Sequence, residues 1–129
     1  KHDFDFNISY TNSEIRQHNS NSSTAGNRLP RIPEFRAKFQ SLYHINTKWD
    51  SMVAGRWQDK DFGRIQNDDV FEGDGGQDEY FFMDLKTTYR YENMNASLGI
   101  NNLTDELANT GPHTFTNRTY SIDLKWKFM

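Results

Sequence analysis

Apolar and polar side chains alternate along six stretches of this chain. A period of two is typical of β-strands, because successive side chains of a strand point to opposite faces. The apolar positions of the six stretches are, in chain order, Phe4, Phe6, Ile8 and Tyr10; Phe35, Ala37, Phe39 and Tyr43; Trp49, Val53, Gly55 and Trp57; Phe81, Met83, Leu85, Tyr89 and Tyr91; Met94, Ala96, Leu98 and Ile100; and Tyr120, Ile122, Leu124, Trp126 and Phe128. No helical stripe of comparable length occurs, so the sequence predicts an all-β fold of about six strands.

The connections between the predicted strands alternate in length. Polar stretches rich in turn formers cover residues 19–33, 60–79 and 102–117, whereas the other two connections are tight turns near residues 44–48 and 92–93. Antiparallel strands joined in this way form an up-and-down meander with all its long loops at one end. Outer-membrane β-barrels separate long loops from short turns systematically, and this rhythm therefore favours a transmembrane barrel.

The alternation itself is open to two interpretations. In a membrane barrel the apolar side chains meet lipid and the polar ones meet a polar lumen, and aromatic rings near the strand ends lie at the lipid interface. In a soluble β-sandwich binding module, the same aromatic side chains would form the packed inner face. The aromatic side chains toward the strand ends are Tyr43, Trp49, Trp57, Tyr89, Tyr91, Tyr120 and Trp126.

Composition narrows the class of protein further. The 129 residues suit one domain; only 34% are apolar, yet 15% are aromatic. The net charge of -3 arises from interspersed acids and bases, which argues against a nucleic-acid partner, and the lack of cysteine excludes disulfides and thiolate metal sites. The longest apolar run, residues 80–83, is far shorter than the roughly 20 residues of a membrane helix. The first ten residues do not have the pattern of a signal peptide.

Three segments together resemble the TonB-dependent outer-membrane receptors. RLPRIPEFRAKFQSLYHI (28–45) is similar to a loop that re-enters the barrel through a proline and continues as a strand. ASLGINNLTDELA (96–108) resembles the penultimate strand of these receptors and the Asn-Leu-x-Asp-Glu signature that follows it. HTFTNRTYSIDLKWKF (113–128) resembles the closing strand. The resemblance implies that residues 1–129 are the C-terminal part of a barrel of about 22 strands. The N-terminal plug and the earlier strands would lie outside these residues.

The resemblance also implies a function. Such a receptor is a transporter rather than an enzyme: it takes up a scarce nutrient across the bacterial outer membrane, most commonly a ferric siderophore. The implied partners are the plug and the other strands, TonB, the barrel-assembly machinery, outer-membrane lipid with lipopolysaccharide, and the nutrient. No cofactor is implied. Assembly factors would recognise the last strand through Tyr120, Ile122, Leu124, Trp126 and Phe128, although Met129 follows the aromatic residue that usually ends the family's chains. A porin or a barrel enzyme remains an alternative.

Candidate ligand contacts lie near the predicted outer loops. We expect Trp57, Arg64, His113 and Arg118 to reach a ligand, since guanidinium groups suit anionic chelates; a simpler interpretation is loop surface and headgroup anchoring. The acidic stretch 74–79 contains carboxylates and glycines that could hold calcium. It lacks the ligand spacing of an EF-hand, which favours a solvated loop tip. The histidines have no metal-ligand spacing, so no metal site is predicted.

Overall fold

All six alternating stretches form strands of one antiparallel sheet. The computed structural model describes residues 1–17, 22–69, 75–110, 113–114 and 117–128. The strands are β1 (His2–Tyr10), β2 (Phe35–His44), β3 (Trp49–Gln58), β4 (Tyr80–Tyr91), β5 (Met94–Asn101) and β8 (Thr119–Trp126). The sheet has the order β1-β2-β3-β4-β5-β8, so each strand pairs with its neighbour in the chain except across the last connection, which contains the short strands β6 and β7 described below. This confirms the predicted all-β meander.

Three smaller elements lie in the long connections. A 3₁₀ turn covers Ser22–Thr24, and a two-stranded hairpin pairs β6 (Asn109–Thr110) with β7 (His113–Thr114). Strands of two residues have no readable alternation, which is why the sequence pattern did not predict them. Within the described part of the chain, no helix is long and apolar enough to cross a membrane.

The register places the apolar positions of neighbouring strands side by side. Phe6 pairs with Phe39, Phe39 with Gly55, and Gly55 with Met83, so one row of a single face crosses four strands. The ring of Phe39 lies where a side chain at position 55 would start, and only glycine fits there. We call this side of the sheet the apolar face and the opposite side the polar face.

The apolar face is exposed rather than covered. The buried apolar side chains of the described residues are few: Ile15, Phe82 and Ala108. In contrast, large apolar side chains of the apolar face remain 38% to 74% exposed, namely Phe4, Phe6, Ile8, Tyr10, Phe35, Tyr43, Trp49, Tyr91, Leu98, Tyr120, Ile122, Leu124 and Trp126. Contiguous apolar surface on this scale marks a contact with another protein or with a membrane.

The two ends of the sheet differ. Short turns join β2 to β3 and β4 to β5; in the first, the Asn46 side-chain oxygen accepts hydrogen bonds from the backbone N–H groups of Lys48 (2.8 Å) and Trp49 (2.9 Å). In the second, Glu92 adopts a positive φ of 47°. We call this the turn end. The three long connections leave from the opposite end, the loop end: loop A (11–34), loop B (59–79) and loop C (102–118).

Candidate functional site

Cationic side chains gather on the polar face at the loop end. We define the loop-end cluster as Arg36, Lys38, Arg56, Gln58 and Tyr80. Arg36 pairs in register with Gln58, Gln58 with Tyr80, and Lys38 with Arg56. The alternation of β2, β3 and β4 therefore places three cations and two polar groups within two adjacent rows of the sheet.

Gln58 holds this cluster together. Its Oε1 accepts hydrogen bonds from Arg36 Nε (3.1 Å) and from the Tyr80 hydroxyl (3.3 Å), and only 9% of the residue is exposed. Its Nε2 donates to Gln77 Oε1 of loop B (3.3 Å). The side chain of Gln58 thus orients Arg36 and connects the sheet to the loop above it.

Phe82 is the apolar support of the cluster. It is 2% exposed although it lies on the polar face, because the Arg56 guanidinium covers its ring at 5.1 Å and the Tyr80 ring packs at 4.9 Å. A cation–π contact at this distance limits the directions that the Arg56 side chain can take.

Two cavities adjoin the cluster. One of about 240 Å³ is lined by the five cluster residues and Trp57. The second, of about 460 Å³, lies next to it and shares Lys38 and Arg56. Its polar-face lining also includes the amides Asn7 and Gln40, the carboxylates Asp5 and Asp84, and the small side chain of Ala54. The polar face therefore has a cationic upper recess and a lower recess that can accept hydrogen-bond donors.

A different set of charges joins four strands at the turn end. His44 Nδ1 lies 2.7 Å from Asp50 Oδ1 and His44 Nε2 lies 3.1 Å from Asp3 Oδ2, while Arg90 pairs with the other oxygen of Asp50. Both ring nitrogens of His44 therefore lie within hydrogen-bond distance of a carboxylate. We call these four residues the turn-end network; it connects β1, β2, β3 and β4.

Loops A and B are hydrogen-bonded to each other. Asn27 donates to the carbonyls of Ile65 and Gln66, both at 2.9 Å. Arg28 and Asn67 form a reciprocal pair: the Arg28 N–H donates to Asn67 Oδ1 (2.7 Å), and Asn67 Nδ2 donates to the Arg28 carbonyl (3.1 Å). The Arg28 guanidinium also pairs with Glu34 and lies 4.0 Å from Asp59. These hydrogen bonds join residues 27–28 of loop A to residues 65–67 of loop B.

Asp61 closes the base of loop B. Its Oδ1 accepts a hydrogen bond from the Gln77 N–H (3.0 Å), and Asp61 and Gln77 form an isolated antiparallel bridge. Burial raises the pKa of the Asp61 carboxyl above its ordinary value, although the Gln77 N–H and the nearby Arg36 act in the opposite direction. Loop B is therefore sensitive to the charge of this carboxyl.

The Asn-Leu-Thr-Asp-Glu stretch has a clear structural role in loop C. Asn102 is 5% exposed and has a positive φ of 54°; its side chain donates to the Glu106 carbonyl and accepts from the Glu106 N–H, both at 2.9 Å. The Asn102 N–H donates to Asp84 Oδ1 (2.9 Å). Asp105 Oδ1 accepts from the Arg118 N–H (2.9 Å), which joins the two ends of the loop. The signature therefore shapes the exit from β5.

The four predicted ligand contacts lie on separate parts of the chain. Trp57 belongs to the apolar face, beside Ala37 and Phe81 of the neighbouring strands. Arg64 lies in loop B with its guanidinium 3.7 Å from Asp68. Arg118 precedes β8 and lies 4.0 Å from Asp105, and His113 belongs to β7, where only the backbone is described. Their role in ligand binding stays a prediction.

The remaining predictions from the sequence concern the last strand, the acidic stretch 74–79 and metal binding. The proposed assembly residues Tyr120, Ile122, Leu124, Trp126 and Phe128 are 61% to 89% exposed, and their recognition by assembly factors stays a prediction. Of the acidic stretch 74–79, Asp74 lies outside the described residues. Among the residues that the structure describes, no group of three or more His, Cys, Asp or Glu side chains could hold a metal ion.

Sequence reasoning missed the loop-end cluster. Arg36, Lys38 and Arg56 were visible as polar positions of β2 and β3, but their proximity depends on the register, which sets Lys38 opposite Arg56. The turn predicted near residues 44–48 would pair Lys38 with Ala54. The observed ladder pairs His44 with Asp50, so its register differs by two residues and sets Lys38 opposite Arg56.

These features define a class of protein. An antiparallel sheet with one exposed apolar face, one charged face, and long loops at a single end is the wall of a β-barrel whose interior is polar. The family model described as TonB dependent receptor-like, beta-barrel matches residues 2–103. The chain belongs to this family of receptors and transporters.

Solved structures agree on the fold. The siderophore receptor PiuA from Acinetobacter baumannii aligns with a TM-score of 0.81 at 19% identity, covering 99% of this chain and 20% of that one. The unliganded ferric citrate transporter FecA gives 0.80 at 19% identity, with 97% and 21% covered. The ferric enterobactin receptor from Pseudomonas aeruginosa gives 0.71 at 17% identity, with 98% and 20% covered. This chain thus spans about a fifth of the length of each. No curated protein sequence matches it significantly.

Proposed function

We propose that this chain is part of the barrel wall of a TonB-dependent outer-membrane receptor that takes up an iron chelate, most simply a ferric siderophore. The family match over residues 2–103 is the observation that carries the proposal. Barrels of this family lie in the outer membrane of Gram-negative bacteria. The solved structures of similar fold include receptors for siderophores and a ferric citrate transporter, which supports this substrate class.

The physical argument concerns the sheet edges. A six-stranded sheet leaves the outer sides of β1 and β8 without a neighbour, and unpaired backbone groups in lipid cost several kcal/mol each. Closed barrels need at least about eight strands. Residues 1–129 would therefore pair with further strands of the same receptor, as the C-terminal part of a barrel of about 22 strands.

The two faces would then have different partners. The apolar face would meet lipid and, toward the loop end, the lipopolysaccharide leaflet. The polar face would meet the lumen and the plug that fills it. TonB would supply the energy that moves the plug, and loops A, B and C would face the ligand outside. The barrel-assembly machinery would act on β8 during insertion.

The test is iron uptake by the full-length receptor that contains these residues. We expect iron-starved Gram-negative cells that express it to accumulate radioactive iron from at least one ferric chelate of a panel. The panel contains carboxylate, hydroxamate and catecholate chelates. Accumulation should stop in an otherwise identical strain without TonB. Equal uptake with and without TonB would overturn the proposed mechanism and would favour a passive porin.

A further inference from the structure

Loops A and B contact each other at two points. At the first point, Asn27 and Arg28 form hydrogen bonds to residues 65–67. At the second, the backbone N–H of Arg31 donates to the Phe62 carbonyl (2.7 Å), and Arg31 adopts a positive φ of 61°. We call residues 27–31 of loop A and 61–67 of loop B the A–B unit. Neither loop can leave the other without breaking both points of contact, whereas a movement of the two loops together breaks neither.

Separation of the two loops would break five hydrogen bonds. Two are donated by Asn27, two join Arg28 and Asn67, and one is donated by Arg31. At the usual net contribution of each bond, the separated state is disfavoured by about a hundredfold or more. The Arg28 guanidinium also lies 4.0 Å from Asp59 of loop B. The joined arrangement of the loops is therefore the stable one.

Gln58, the last residue of β3, attaches the A–B unit to the barrel wall. Its Oε1 accepts from Arg36 of β2 and Tyr80 of β4, and its Nε2 donates to Gln77 Oε1 of loop B (3.3 Å). In turn, the Gln77 N–H donates to Asp61 Oδ1 (3.0 Å), and the Asp61 N–H donates to the Gln77 carbonyl (2.9 Å). Hydrogen bonds therefore lead without interruption from three strands to the base of loop B.

We infer that the A–B unit stays intact during uptake and that the hydrogen bond between Gln58 and Gln77 fixes it to the wall. The unit is then a permanent part of the outer entrance, and the iron chelate does not pass between loops A and B. The statement about uptake rests on the proposed function, whereas the cooperative behaviour of the two loops does not.

Native-state hydrogen exchange of the full-length receptor in detergent tests the attachment. If the two loops form one unit, Gln58→Leu should speed exchange at the amides of Gln77 in loop B and Arg31 in loop A by the same factor. This factor is about two- to tenfold for the loss of one hydrogen bond. Gln58→Glu should keep the wild-type rates, because its carboxylate can accept from Gln77 once the Gln77 amide turns over. Gln66→Leu is the matched control in loop B, since Gln66 contributes its backbone carbonyl to the contact with Asn27.

A disulfide between the loops tests the statement about uptake. The hydrogen bond from Arg31 to Phe62 places their Cα atoms within the roughly 7 Å that a disulfide spans, and residues 1–129 contain no cysteine. Iron-starved cells that express the full-length receptor with Arg31→Cys and Phe62→Cys are treated with an oxidant or a reductant and washed. They then receive ferric citrate, ferrioxamine B or ferric enterobactin, as carboxylate, hydroxamate and catecholate probes. We expect the same initial rate of TonB-dependent uptake in the oxidised and the reduced receptor, with disulfide formation measured on gels and the two single-cysteine variants as controls.

The two measurements separate this inference from the proposed function. Faster exchange at Gln77 without a change at Arg31, or no change at either amide, overturns the single unit and leaves the proposed function intact. Uptake that is lost in the oxidised receptor and returns on reduction shows that the loops must separate, and it overturns the inference about uptake. Absence of uptake of all three chelates by wild-type cells overturns the proposed function, while the exchange rates still decide whether the loops form one unit. Heat-modifiable migration on gels establishes that each variant is folded, and Gln77→Leu, which keeps the bonds of Gln58 to β2 and β4, serves if Gln58→Leu does not fold.

Discussion

Asn102 offers the sharpest test of how loop C is built. Its side chain accepts hydrogen bonds from the Glu106 N–H (2.9 Å) and the Thr104 hydroxyl (3.2 Å), and it donates to the Glu106 carbonyl (2.9 Å). Each hydrogen bond contributes a net 0.5–1.5 kcal/mol, so the three together contribute about 1.5–4.5 kcal/mol. Because water can replace part of them, removing the amide should destabilise the local turn by about 2 kcal/mol, toward the lower end of this range. Asn102→Gly removes the amide but keeps the positive φ of 54° accessible.

Asn102→Ala adds a second cost. Alanine in the left-handed region costs about 1 kcal/mol more, so we expect about 3 kcal/mol in total. The corresponding increases in local opening are about 30-fold for Asn102→Gly and about 150-fold for Asn102→Ala. Native-state hydrogen exchange at the Glu106 amide of the full-length receptor measures this opening directly.

The neighbouring position provides the control. Asn101 is exposed and its side chain donates to the Thr119 hydroxyl (3.2 Å) rather than to Glu106. We therefore expect Asn101→Ala to change exchange at Glu106 less than threefold, or under about 0.7 kcal/mol. Exchange at Glu106 that is the same in all three variants as in wild type would refute the assigned role of Asn102. Equal opening in Asn102→Gly and Asn102→Ala would refute only the extra cost assigned to alanine at a positive φ, and not the role of the side-chain hydrogen bonds.

The turn-end network, Asp61 and Phe128 can each be tested by a substitution. Asp50→Ala leaves His44 and Arg90 without their shared carboxylate. We therefore expect it to lower the free energy of unfolding of the full-length receptor, measured by chemical denaturation, by more than the roughly 1 kcal/mol that an exposed ion pair contributes. Asp123→Ala removes an exposed pair with Lys86 (3.5 Å) and should cost no more than that. Because burial raises the pKa of Asp61, the folded loop binds this proton more tightly than the open loop. The protonated carboxyl therefore stabilises the folded loop fully below the ordinary pKa of 3.8, and this stabilisation is lost as the pH rises through the raised pKa. Hydrogen exchange at the Gln77 amide, corrected for its intrinsic rate, should become faster over this pH range. Asp61→Asn should remove this pH dependence. Phe128→Ser should reduce the heat-modifiable, assembled fraction in membranes, whereas Ser121→Thr on the polar face should not; equal assembly of both would contradict a recognition role for the last aromatic residue.

The strands could be predicted from the sequence because each alternating stretch carries its own signal. Phe4 to Tyr10 and Tyr120 to Trp126 show a period of two without reference to any other part of the chain, and tight turns fix which strands are neighbours. The polar face was harder to predict. Leu42, Met52 and Phe82 are apolar residues on that face, and Phe82 is buried there only because Arg56 and Tyr80 cover it.

The loops could not be predicted because their contacts join distant residues. The reciprocal bonds of Arg28 and Asn67 connect positions 39 residues apart, and neither residue belongs to a periodic pattern. The Asn102 turn is different: its signature was recognised by resemblance, but the reason for it, a buried asparagine with positive φ, requires coordinates. Local patterns thus specify the wall, whereas the recesses of the polar face depend on register and on loop contacts.

Spin-label accessibility along β8 tests the central claim, that this sheet is a barrel wall in lipid. Single cysteines at positions 120–126 of the full-length receptor, reconstituted in lipid vesicles, would carry the label. The account predicts that oxygen accessibility peaks at Tyr120, Ile122, Leu124 and Trp126, and that a water-soluble nickel reagent is excluded from these positions. High nickel accessibility at Ile122 and Leu124, or no period of two, would contradict it.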